Sequence, residues 1–110
     1  MVKLSINSKS EEEKFLLITI IGITESLLKN AITICEAEGA IFTPYTVKIL
    51  KDKKIDNEIV KLVELGCELE NIESLLPHCL EEEILKIKDK AVELLIKVER
   101  SKYIEKWLES

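Results

Sequence analysis

Residues 80–98 read LEEEILKIKDKAVELLIKV. Leu80, Ile84, Ile87, Ala91, Leu94 and Val98 follow one another at spacings of four, three, four, three and four. That repeat sets them along one side of an α-helix, as a seam against which other helices pack. Leu85, Val92, Leu95 and Ile96 widen the seam. The pattern predicts a helix from about His78 or Cys79 nearly to the C-terminus. Some thirty residues of helix measure about 45 Å. A compact domain of this size has a radius of gyration near ~13 Å and a diameter of roughly 35 Å. The helix therefore either bends, near Ser101 for example, or overhangs. An overhang leaves Tyr103, Ile104, Trp107 and Leu108 in need of a partner, and a second copy of the chain would supply one.

Working outward, the rest of the chain also reads as helices. Ser10 with Glu13 fits a capping box, and Glu11 and Glu12 suit the positive end of a helix dipole. This first long helix runs to about Lys29. Its stretch 15–23 is apolar around nearly the whole circumference, which predicts the central helix of the fold. Gly22 in that stretch predicts close approach by a neighbouring helix. Thr33 with Glu36 opens a short helix that Gly39 ends. Thr43 and Pro44 read as N-cap and first-turn proline of the next, which finishes in Lys51, Lys53 and Lys54. Asp56 caps a helix carrying Ile59, Val60, Leu62, Val63 and Leu65, with Gly66 at a left-handed C-terminal position. A further short helix covers residues 68–75, before Pro77.

Val2, Leu4 and Ile6 alternate with Lys3, Ser5 and Asn7, a strand pattern with no second strand to pair with. The segment is extended coil, or it pairs with its twin in a dimer, which adds Leu4 to the interface candidates. The fold class is thus all-α: one domain over residues 1–110, a compact multi-helix bundle with a long C-terminal helix and a short extended N-terminal segment.

Composition narrows function. The net charge of −5 argues against nucleic acid, which is held through basic faces. Three cysteines without a CxxC pair argue against a secreted disulfide framework and for reduced thiols in the cytoplasm. Residues 1–7 show no signal-peptide pattern, and the run 15–23 is about half of the length needed to span a bilayer, so no membrane is expected. With glycine only at Gly22, Gly39 and Gly66, no phosphate-cradling loop exists.

Several stretches resemble a family of uncharacterised bacterial proteins of about this length. They are SEEEKF at 10–15, IGITESL at 21–27, FTPYT at 42–46 and LGCELENIESL at 65–75. The resemblance covers most of the chain and implies a bacterial cytosolic protein. It carries no catalytic residues with it.

Candidate chemistry is sparse. Cys67, His78 and Cys79, with Cys35 or Glu81, lack the paired spacing of a zinc site, and Cys35 and Cys67 read instead as small buried apolar residues. His78 is the single histidine, and adjacent Cys79 is badly directed for a nucleophile–base pair. No cofactor is called for. Between Leu62 and Leu85 stand Glu64, Glu68, Glu70, Glu73, Glu81, Glu82 and Glu83 with no Lys or Arg, and the basic residues follow over 86–102. A charge run is ordinarily a solvated face. Its functional alternative is an acidic surface of Glu68, Glu70, Glu73, Glu81 and Glu82.

Three functions stay open on these grounds. The first is a non-catalytic protein-interaction domain, self-associating as a homodimer. The second is an immunity-like or inhibitor protein that holds a basic partner through the acidic surface of residues 64–83. The third is a small-ligand binder or enzyme with a pocket between helices.

Overall fold

Capping chemistry sets the helix starts. Thr33 accepts from the Glu36 backbone N–H at 3.1 Å while the Glu36 carboxylate accepts from the Thr33 N–H at 2.9 Å. Thr43 accepts from the Thr46 N–H at 3.0 Å, with Pro44 in the first turn. Asp56 accepts from the Glu58 N–H at 2.8 Å. Each bond satisfies a backbone donor that a helix start leaves open.

The computed structural model describes residues 9–109, with side chains described over 9–98. Within them run α1 (Lys9–Leu28), α2 (Ile34–Ala40), α3 (Pro44–Asp52), α4 (Asn57–Cys67) and α5 (Leu69–Leu75). A 3-10 turn (Pro77–Cys79) then leads into α6 (Leu80–Glu109). The fold is all-α. The extended segment expected around Val2, Leu4 and Ile6 lies outside the described residues.

The long α6 is helical without interruption through Ser101. The longest dimension of the molecule is 51 Å, against 29 and 24 Å across it. The seam read from residues 80–98 is core: Ile84, Ile87, Ala91 and Leu94 are buried, with Leu80 and Val98 half-buried at its ends.

The principal packing in the molecule is α1 against α6. The last turn of α1 meets the first turn of α6, and Glu25 pairs with Lys88 at 2.7 Å, so the two helices run antiparallel. Leu17, Ile20, Thr24 and Leu27 form the buried side of α1. Thr24 is fully buried and resolves its hydroxyl by bonding back to the Ile20 carbonyl at 2.8 Å. The α2–α5 segment packs on these inner faces and adds Phe42, Ile55, Ile59, Val63 and Leu69 to one continuous core. Expectation places α1 at the centre with cover all round. Instead its outer side carries Phe15 and Ile18 at 47% and 48% exposure.

The glycines correct two local readings. Gly66 is not a left-handed terminator: it lies within α4, and no described glycine has positive φ. A Cβ on Gly66 would fall inside the Phe42 ring, so the residue is small because an aromatic side chain seats on its backbone. Gly22 is the reverse. No neighbouring helix approaches it, and an added Cβ would meet nothing within 4 Å. The left-handed residues are Asn30 and Lys54, just past α1 and α3.

Ser10 lies inside α1 and not at its N-cap, and Glu13 of the expected capping box has a partner on another helix. The Glu13 carboxylate accepts from the Asp56 backbone N–H at 2.8 Å and so ties α1 to the start of α4. Lys53 pairs with Glu12 at 3.2 Å beside it.

Candidate functional site

Two surfaces gather functional-looking side chains. The first is the outer face of the α1–α6 pair. Ile18, Ile21 and Glu25 follow at helical spacing on α1, and Lys88, Val92 and Leu95 do so on α6. The Glu25–Lys88 pair sets these two rows side by side. The Lys88 ammonium donates to Glu25 and holds that carboxyl below its usual range. Beyond the pair the surface is apolar: Ile21, Val92 and Leu95 are half-buried, Phe15 and Ile18 stand out, and Gly22 leaves the α1 backbone bare. A domain that leaves such a stripe open has a surface suited to a partner.

The second surface is acidic and centres on Cys67, at the junction of α4 and α5. The Cys67 thiol is pushed up by burial first, and then by the carboxylates of Glu68, Glu38 and Glu64. The Glu38 carboxyl on α2 is raised, first by its interaction with the Glu70 carboxyl on α5 and then by burial and the Glu70 charge. Asn71 donates to Glu68 at 3.1 Å.

Of the acidic residues singled out from sequence, Glu68, Glu70 and Glu73 are exposed around α5. Glu82 pairs with Lys86 at 3.8 Å, and Glu83 pairs with the same lysine at 3.3 Å. Glu81 instead borders a depression of about 160 Å³ with Leu27, Leu28, Asn30, Leu80 and Ile84. Sequence reasoning missed Glu38, which comes from a distant helix and carries no local signal.

Tyr103, Ile104, Trp107 and Leu108 belong to α6, but their side chains, like all of Leu4, lie outside the described residues. Cys35, read as buried, is exposed. It is the second residue of α2 and turns away from the buried Ile34 and Ala37. Cys67 and Cys79 are intermediate. Among the described residues no group of three His, Cys, Asp or Glu side chains is arranged to hold a metal ion. No described helix is long and apolar enough to cross a membrane.

With that geometry in place, comparison with known proteins gives one match. A family model described as "Protein of unknown function (DUF3969)" matches residues 7–109. The chain belongs to this family. No curated protein and no solved structure matches it. The family's description assigns no activity, so membership leaves function to be argued from the surfaces.

Proposed function

We propose that this chain is a non-catalytic interaction domain of the bacterial cytoplasm, working through the outer face of the α1–α6 pair. The observation that carries the reading is the state of α1. It is apolar on two sides, and among the described residues the other helices cover only one of them. A helix apolar all round is normally enclosed. We read the surface that would enclose the other side as one supplied by another molecule.

Placing a benzophenone photo-crosslinking amino acid at position 15 tests this in cells, because it swaps one aromatic ring for another. The same group at Lys48, exposed on α3, is the control. A discrete adduct from position 15 alone is expected. Equal, diffuse labelling from both positions would remove the face as an interface.

A second reading rests on a different observation. Glu38, Glu64 and Glu68 bring three carboxylates around Cys67, with Glu70 beside Glu38, a surface suited to a basic protein. An adduct from an aromatic probe at position 71, and none from position 15, would favour it.

A further inference from the structure

The geometry points to a second copy of this chain as the occupant of the outer face, docked through an antiparallel α1–α1 pair about a two-fold axis. This rests on the reading of that face as an interface.

The stripe along the outside of α1 is Glu11, Phe15, Ile18, Gly22, Glu25 and Lys29. Its spacings are four, three, four, three and four, the same repeat that makes the core seam of α6. Reversed end to end, the stripe falls back on itself. Glu11 meets Lys29, Phe15 meets Glu25, and Ile18 meets Gly22, each pair occurring twice in the dimer. A closed two-fold contact requires a patch that is complementary to itself.

The residue types suit this alignment. Ile18 is a bulky side chain held half out of the protein, and opposite it comes the bare backbone of Gly22, around which there is open space. A glycine inside an exposed helix is unfavourable relative to alanine. Among the described residues nothing packs on Gly22 in return. Across the two-fold axis it lets the helices approach closely and receives Ile18. At the two ends an acid meets a base, so the charges oppose a parallel or shifted alignment. Phe15 lies along the stem of Glu25, whose carboxylate stays anchored by Lys88. Ile21, Val92 and Leu95 flank the helix pair and extend the apolar area, since one pair of helices by itself falls short of the roughly 800 Å² per partner of a stable interface.

Light scattering of the full chain over a concentration series tests the proposal, together with the crosslink at position 15. The mass is expected to rise from 12.6 kDa towards twice that value. Gly22→Leu fits the open space of the single molecule, so its melting temperature in dilute solution should hold or rise, while dimer dissociation strengthens by at least about tenfold. Ile18→Lys, a change at a half-exposed position, is the second variant and should act the same way. Glu11→Lys and Lys29→Glu should each weaken the dimer, and together restore much of it. A mass of 12.6 kDa at every concentration would overturn the proposal. So would a dimer indifferent to both Gly22→Leu and Ile18→Lys. An adduct from position 15 to a different protein would overturn the second copy alone, whereas no adduct and no dimer would take the interface reading with it.

Discussion

Leu17, Ile20 and Leu27 point inward from α1, and Phe15 and Ile18 point outward from the same helix. Both sets are large and apolar. The first is buried beneath α6 and the α2–α5 segment, and the second keeps nearly half of its surface in water. The contrast separates two demands on one helix. The inner face answers to folding, and its residues are fixed by neighbours that the chain itself provides. The outer face has no such neighbour among the described residues. Hydrophobicity alone cannot tell these faces apart, but response to substitution can.

The largest effect is expected from two positions on α6. Leu94→Ala, in the buried seam, should cost about 2–5 kcal/mol through lost burial and the cavity left behind. Ile96→Ala, two residues on and half-exposed, should stay within about 0.5 kcal/mol. Urea unfolding of both variants checks this, and similar losses would erase the division into faces.

The two glycines give a smaller and more pointed contrast. Gly66→Ala should destabilise by about 1–3 kcal/mol, because the added methyl collides with the seated Phe42 ring. Gly22→Ala should stabilise the single chain by about 1 kcal/mol, since helix propensity is the one term that changes. Denaturation at low protein concentration reads both. Destabilisation at Gly22 would mean that its role lies inside the molecule.

The smallest effect concerns the acidic surface. Glu38 keeps its proton to higher pH in the fold than in the unfolded chain. That favours the fold below the ordinary carboxylate range, and the contribution disappears as pH rises through the raised value. As pH rises past that value, the charge that Glu38 gains is opposed by Glu70. Glu38→Gln should therefore raise stability at neutral pH by roughly 0.3 kcal/mol, the size of an exposed charge pair. The gain should disappear at a pH low enough to protonate Glu38 in the folded and the unfolded chain alike. Melting curves at the two pH values test this, and an equal shift at both would dissociate Glu38 from Glu70.

What could be read without coordinates was whatever a few neighbouring residues determine. The caps at Thr33, Thr43 and Asp56 are satisfied within three residues, and the α6 seam repeats over its own turns. What escaped depends on distant partners. Gly66 is small because of Phe42, more than twenty positions earlier, and a helical glycine looks alike whether it packs against a ring or faces open space. Gly22 misleads in the opposite sense for the same reason. Glu13 looked like a capping residue because its true donor, the Asp56 amide, arrives on another helix. Cys35 looked buried because its composition class usually is, while its direction on a two-turn helix depends on how α2 docks. The acidic surface was seen as a run along the chain, whereas space adds Glu38 to it and gives Glu82 and Glu83 a lysine of their own.

The pairing of the first helix with the last also bears on how the chain is born. α1 is complete once Leu28 has been added, yet its main cover begins only at Leu80. At synthesis rates of about 5–20 residues per second, that interval lasts roughly 3–10 s. Helix formation and hydrophobic collapse take far less than a second. For those seconds both sides of α1 lack their final shelter, while α3 and α4, joined by a short turn, can already close on each other. The inner side is shut away when α6 arrives. On a crowded polysome, the outer side of one nascent chain can meet its twin before either chain is finished.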